Sequence, residues 1–216
     1  MTSIITNNER PLSERPILET PFYPSYKHLI QNDNYEEWAG YTTLASFADV
    51  GQEYFSVRNT CGVYDLCPMI KYDICGIDAE RYMNRLITRN VKKLLPKRVT
   101  YTVWCDDKGH IIEDGTVFRL SATEFRLCCA DRQIDWLMDC AIGYDLVITE
   151  VTDAIVGLAV QGPVSCKILK KTGFDGVEKL KIFQLESFSL NGYEVMVSRT
   201  GFTGDLGYEL WTNAIN

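Results

Sequence analysis

Residues 99–130 read VTYTVWCDDKGHIIEDGTVFRLSATEFRLCCA, three apolar β-prone runs separated by turn signals at Asp107-Lys108-Gly109 and Ser121–Glu124. Strands joined by such short turns run antiparallel. The rest of the chain must then build around an antiparallel sheet. A second hairpin lies in FSLNGYEVMVSRTGF, where Asn191-Gly192 between alternating runs is a strong short-range turn signal. Helical spacing separates these blocks. DAERYMNRLIT (78–88) puts Tyr82, Met83, Leu86 and Ile87 on one side, with Asp78 placed to cap its start. RQIDWLMDCAIG (132–143) and PVSCKILKKTG (163–173) read as two further helices, Pro163 at a permitted first-turn position. ASFADVGQEYFSVRNT (45–60) reads as a short helix with Tyr54, Phe55 and Val57 among its buried positions. CGVYDLCPMIKYDICG (61–76) reads as strand with an irregularity at Pro68, and LVITEVTDAIVGLAVQGP as two short strands. Helices interspersed with antiparallel hairpins give an α+β class and not a doubly wound one.

YDICGIDAERYMNRLIT (72–88) and GLAVQGPVSCKILKKTG (157–173) share one grammar of strand, glycine and helix. Gly76 and Gly162 would let each helix pack close to its strand. Two α+β subunits built alike would produce this echo, as would chance similarity between two strand–helix units. The first 25 or so residues carry four of the seven prolines and little periodicity, so an extended arm is expected there, with residues 1–44 as an N-terminal arm and 45–216 as the folded region.

Composition narrows the partners. A net charge of −7 argues against nucleic acid or an anionic membrane surface. KKLLPKR (92–98) is the densest basic run and reads as the solvated end of a helix and its loop. No run of roughly 18 apolar residues exists to span a bilayer, and the N-terminus lacks the apolar core of a signal peptide; the cytoplasm is the default compartment. The eight cysteines form no CxxC pair and only two histidines are present, which argues against a zinc site. Most of the cysteines sit in apolar runs as small hydrophobes.

What stands out chemically is a set of acids inside hydrophobic strands. In GHIIEDGTVFRL, Glu113 and Asp114 are neighbours, so one should face solvent and the other the interior. A buried carboxylate is costly unless paired or employed; alternatively, Asp114 bonds backbone amides beside Gly115 in an ordinary turn. Glu209, in GYELW, lies either on the exposed face of an edge strand or in a site. The glycine-rich lead-in GFTGDLG favours the site, because glycines permit close approach of backbone and ligand.

VRNTCGVYDLCPM, DDKGHIIEDGTVFRL, LAVQGP and SRTGFTGDLGYELW, in this order and spacing, resemble the aminomethyltransferase (glycine-cleavage T-protein) family of tetrahydrofolate enzymes from about residue 45 onward. The resemblance implies an α+β folate-binding fold of antiparallel sheets flanked by helices, built of two intertwined α+β subunits. It puts the catalytic carboxylate at Asp114 and the pterin-binding glutamate at Glu209. Met69 and Tyr101 fall at folate-pocket positions, Phe202 at the loop aromatic and Cys67 at a substrate-facing serine, which makes Cys67 the thiol expected to react first. The implied function is tetrahydrofolate-dependent transfer of an aminomethyl or methyl group. Departures are His110 for glycine, Glu113 for aspartate and Cys67 for serine. GDLGYEL is closer to the version in sarcosine- and dimethylglycine-oxidising enzymes, favouring a small methylated substrate over a lipoyl carrier protein, with folate-dependent O- and S-demethylases still open. Family chains continue well past this length, adding an arginine and a C-terminal β domain. A truncated, non-catalytic folate- or partner-binding module is therefore the alternative, with self-association through the seam of the missing domain.

Overall fold

The computed structural model describes residues 17–214, which divide into two compact units. One is continuous, Met69–Thr152; the other joins residues 17–68 to residues 153–214. In chain order the second begins with β1 (Leu18–Glu19), α1 (Tyr23–Tyr26), β2 (Tyr35–Trp38) and β3 (Tyr41–Leu44). β2 and β3 form a hairpin whose turn places Ala39 and Gly40 at φ 55° and 93°, and β1 adds parallel to β3. Where an arm was expected, residues 17–44 thus carry a small sheet, held to later chain by the Tyr41 hydroxyl donating to Asp153 at 2.6 Å. Residues 1–16 lie outside the described residues.

α2 (Val50–Asn59) starts at Asp49, whose carboxylate accepts the Gln52 N–H at 2.8 Å, the expected bond of an N-cap. Of its predicted buried positions only Val57 is buried; Tyr54 and Phe55 are exposed. The cause is Arg58. Its guanidinium lies 5.2 Å from the Tyr54 ring centroid, so that aromatic packs on a surface cation and not on a core. β4 (Gly62–Asp65) follows, and Pro68 then separates it from the next strand, which joins a different sheet.

The continuous unit runs β5 (Ile70–Cys75), α3 (Ala79–Leu86), β6 (Arg98–Cys105), β7 (Ile111–Arg119), β8 (Glu124–Cys129), α4 (Ile134–Cys140) and β9 (Val147–Glu150). Its sheet order is β6-β7-β8-β5-β9, all antiparallel. One face carries Ile70, Tyr72, Ile74, Phe125 and Leu127, all fully buried. That is the helix-packed face: the Tyr72 hydroxyl accepts the Gln133 N–H at the start of α4, and Arg119 pairs with Glu80 of α3. Tyr82, Met83, Leu86 and Ile87 are buried as their spacing predicts, but Asp78 does not cap α3. Its carboxylate accepts the Asp145 N–H at 2.9 Å instead, tying the helix start to the lead-in of β9.

The second unit resumes with β10 (Ile155–Gln161), α5 (Ser165–Lys171), β11 (Leu185–Leu190), β12 (Tyr193–Ser198) and β13 (Gly207–Asn213), in sheet order β11-β12-β13-β10-β4. Asn191 and Gly192 both have positive φ, 52° and 88°, as a tight hairpin turn requires. Val160, Val195, Val197 and Tyr208 form a core with Leu169 of α5, Phe174, Val177 and Leu180.

The two five-stranded sheets share one plan. In each, a strand ends in a glycine, a helix follows, and a three-stranded meander brings its last strand back beside the first. β5 and β10 occupy the same place, as do β8 and β13, and the outer positions are filled by β9 and β4. A Cβ on Gly76 would lie 2.5 Å from the Asp145 carbonyl, and one on Gly162 would lie 2.5 Å from that of Thr60. Each glycine therefore lets the segment leading into the outer strand pass against the start of the helix. Among the described residues no helix is long and apolar enough to cross a membrane.

Candidate functional site

Asp114 and Glu209 each lie on the sheet face of their own unit that is turned away from the helices. In the second unit this face carries Ser198 on β12, Gly207, Glu209 and Trp211 on β13, Gly157, Ala159 and Gln161 on β10, and Tyr64 on β4, by the register of the ladder. β13 is an interior strand, so Glu209 is not on an edge; it is 6% exposed. Its Oε2 accepts the Thr200 hydroxyl at 2.7 Å, and the Thr200 and Ser198 hydroxyls lie 2.6 Å apart. Burial pushes the Glu209 carboxyl above its ordinary value, and the hydroxyls of Thr200 and Ser198 pull it partly back. Among the described residues no cation pairs with it.

The first unit supplies an internal comparison. Asp73 stands three residues before Gly76 and faces Arg126; Ala159 stands three residues before Gly162 and faces Glu209. At the first position the charge is neutralised within the protein. Arg126 forms a two-point ion pair with Asp73, Nε to Oδ1 at 2.7 Å and Nη2 to Oδ2 at 3.0 Å. At the second the cross-strand residue is a methyl group, and the carboxylate keeps only hydroxyl partners. A buried acid held open in this way suits a ligand that brings its own N–H donors.

The glycine-rich loop has a structural cause that the sequence reading missed. The Gln161 side chain is fully buried between Gly201 and Gly207, and a Cβ on either would come within 2.0 Å of its Oε1. Its amide donates to the carbonyls of Thr200 and Tyr208, both at 3.3 Å, and accepts the Thr203 hydroxyl at 3.1 Å. Gln161 thus fixes the backbone on both sides of the loop that leads to Glu209. Its place one residue before Gly162, and the 201/207 glycine spacing, were visible signals without an evident partner. Arg58 holds the outer part of the same loop, pairing with Asp205 and donating to the Thr203 carbonyl at 2.7 Å. Phe202 projects from the loop 63% exposed, edge-on to Tyr64 with ring centroids 5.1 Å apart.

In the first unit, Tyr101 and Asp114 come together. The Tyr101 hydroxyl donates to Asp114 Oδ2 at 2.6 Å, and both residues are exposed. This bond holds the phenol proton and raises the Tyr101 pKa. Asp114 lies within strand β7, so the turn role is not what the structure shows. Glu113 points the other way, sharing a face with the buried Trp104, half-buried and with its pKa raised by burial. The Ser187 hydroxyl donates to Glu194 at 2.7 Å at the matching place in the second unit, so the hydroxyl–carboxylate pair repeats with the fold. Met69 is half-buried, and its carbonyl accepts the Lys71 ammonium at 2.6 Å.

Cys67 departs from expectation. It is 2% exposed, with Sγ 3.9 Å from the Gly157 carbonyl, so its thiol is not open to reagents. The cause is the Pro68 irregularity: Asp65 Oδ1 accepts the Cys67 N–H at 2.9 Å, turning the chain inward. Among the described residues no group of three or more His, Cys, Asp or Glu side chains could hold a metal ion.

Comparison with known proteins supports the reading of the fold. An aminomethyltransferase of Clostridium botulinum (strain 657 / Type Ba4) is 32% identical over 180 residues, covering 81% of this chain and 49% of that protein. The chain spans about half the length of the curated relatives it matches. The crystal structure of glycine cleavage system aminomethyltransferase T from Bartonella henselae superimposes with a TM-score of 0.80 at 21% identity, over 92% of this chain and 54% of that one. A chain of the heterotetrameric sarcosine oxidase from Corynebacterium sp. U-96 gives a TM-score of 0.51 at 15% identity, over 76% of this chain and 83% of that one. Residues 26–215 match the family model described as GCVT N-terminal domain, and the chain belongs to that family.

Proposed function

We propose that this chain is the folate-binding part of a tetrahydrofolate-dependent one-carbon transferase, acting on a small aminomethyl or methylated substrate. The observation that carries the reading is Glu209, a buried carboxylate without a cation partner among the described residues, where the matching cross-strand pair of the other unit is a complete ion pair. A pterin offers amino and ring N–H donors, which a carboxylate acceptor suits. The exposed Phe202 ring beside Tyr64 offers an aromatic surface to a flat heterocycle. Met69 and Tyr101 are assigned to the folate by the family resemblance, and Cys67, buried as it is, contributes wall and not a reactive thiol.

Tetrahydrofolate supplies the amine that accepts the one-carbon unit. The chain's own contribution is at Asp114. Its Oδ2 is held by the Tyr101 hydroxyl, which fixes the carboxylate's direction and leaves Oδ1 to orient a protonated amine or to stabilise developing positive charge. A lipoyl carrier protein as the donor of the one-carbon unit is the second partner class that the aminomethyltransferase relatives bring in.

The test is ligand-induced stabilisation. Tetrahydrofolate should raise the melting temperature, because a ligand that binds only the folded state stabilises it by mass action. Glu209→Gln should weaken that shift. Asp114→Asn should keep it, while turnover in a full-length version falls by roughly 10²-fold or more. Binding without turnover in any length of chain would favour a non-catalytic folate module. No shift at millimolar tetrahydrofolate would refute the assignment.

A further inference from the structure

The loop between β12 and β13 does more than approach Glu209; it holds it. Thr200 is 7% exposed, and its hydroxyl has one proton, which goes to Glu209 Oε2 at 2.7 Å when that carboxylate is ionised. The Ser198 hydroxyl, 2.6 Å from Thr200 Oγ1, must then be the donor in their contact. The result is a one-way chain, Ser198 to Thr200 to Glu209, in which each hydroxyl polarises the next. The Thr200 backbone is independently fixed, its carbonyl accepting from the buried Gln161 amide. Side chain and main chain of one residue are therefore both committed, and both commitments converge on the candidate ligand-binding acid.

We propose that Thr200 is the positioning residue of the Glu209 site: it binds Oε2, sets the carboxylate rotamer and turns Oε1 toward the N–H donors of the ligand. This rests on the folate-binding reading above. Thr200 touches no ligand atom in this arrangement; it acts through Glu209. The groups around the carboxylate are few. β12 contributes Ser198, β10 contributes Ala159 and Gln161, and the titratable side chains on the same face are Tyr64 of β4, one strand beyond Ala159, and Glu194, four residues along β12 from Ser198, where it accepts the Ser187 hydroxyl. A change at Thr200 should consequently reach Glu209 directly and not through a charged neighbour.

Tetrahydrofolate binding, measured calorimetrically from pH 5 to 8, tests this with four proteins. Thr200→Val keeps the shape and removes the hydroxyl; it should weaken binding about 10-fold or more, the loss expected of a hydrogen bond to a charged group. It should also move the pH at which acid abolishes binding upward, because the carboxylate loses a donor that favours its ionised form. Thr200→Ser restores a hydroxyl and should return both affinity and pH profile to near those of the unaltered chain. Weaker binding with an unchanged pH profile would mean a merely structural role and would overturn the proposal, as would unaltered binding by Thr200→Val. Glu209→Gln separates the two readings: if it binds tetrahydrofolate normally, the Glu209 site itself fails, whereas weak Glu209→Gln beside normal Thr200→Val refutes Thr200 alone. Should Thr200→Val not fold, Thr200→Ala removes the same hydroxyl with less bulk and is read by the same two measurements: weaker binding with an upward shift of the acid limit supports the proposal, and no shift refutes it.

Discussion

The matched cross-strand pairs Asp73–Arg126 and Ala159–Glu209 should respond with opposite sign to the removal of their negative charge. At Glu209 burial raises the carboxyl pKa above its ordinary value of 4.5, so the folded state holds the proton more tightly than the unfolded one. Below that value the residue is neutral in both states and costs nothing. As pH rises from there through the raised value, folding must deprotonate a buried group, and stability falls. Glu209→Gln removes this penalty while keeping side-chain volume and an oxygen that can accept the Thr200 hydroxyl. The lost charge-assisted bond offsets part of the gain, leaving about 1 kcal/mol of net stabilisation at neutral pH. For a chain of this length that is a rise in melting temperature of about 2–4 °C. Asp73→Asn should do the reverse. Arg126, whose side chain is 11% exposed, would keep its charge and lose its carboxylate. The cost is about 2–3 kcal/mol, below that of a fully buried pair because the Asp73 side chain is 21% exposed. Urea or thermal unfolding of the three proteins at pH 5 and pH 7.5 reads both effects. A Glu209→Gln protein less stable than the unaltered chain at pH 7.5 and equal to it at pH 5 would refute the argument, since it would show the native state favouring the ionised form.

The Gln161 plug makes a second prediction. Gly207→Ala places a methyl against the buried amide and should cost about 1–3 kcal/mol, as overpacking does, while Gly207→Ala with Gln161→Ala should recover part of it; additive losses in a double-mutant cycle would show that the glycine is needed for another reason. For the cysteines, timed alkylation with mass spectrometry should find the half-buried Cys105 and Cys166 ahead of the buried Cys67, Cys128 and Cys129. Cys67 modified first would mean that the strand exit at Pro68 opens in solution.

The elements that were legible in the sequence are those whose signals are local. The turn at Asn191-Gly192, the meander of residues 98–129 and the buried stripe Tyr82–Met83–Leu86–Ile87 rest on spacing or on residues that few other conformations accept. What was not legible depends on distant partners. Tyr54 and Phe55 have the composition of core residues, and only the placement of Arg58 against Tyr54 shows why they stay outside. Asp78 has the chemistry of a cap, yet a backbone N–H at Asp145, far along the chain, takes its carboxylate. The site divides in the same way. Alternation correctly separates Glu113 from Asp114, but nothing local says that Gly201 and Gly207 make room for Gln161. Neither does composition say that Cys67, at an irregular strand exit, is turned inward.

The unit built from two separated stretches has a consequence for the order in which the chain can mature on a ribosome. Residues 69–152 are contiguous, so that sheet can close as soon as it has emerged. β4 waits longer, because its partner β10 lies roughly a hundred residues downstream. At ordinary rates of synthesis that is about 5–20 s during which α2 and β4 exist without the strand that completes them. An unpaired strand edge is a template for unwanted pairing. Val63, exposed even in the finished sheet, then sits beside Tyr64 on a strand whose partner β10 is not yet in place. The early N-terminal stretch is therefore where nascent chains are most open to chaperone capture or to pairing with one another, and substitutions in β4 that leave the finished protein's stability unchanged should still alter the yield of folded chain.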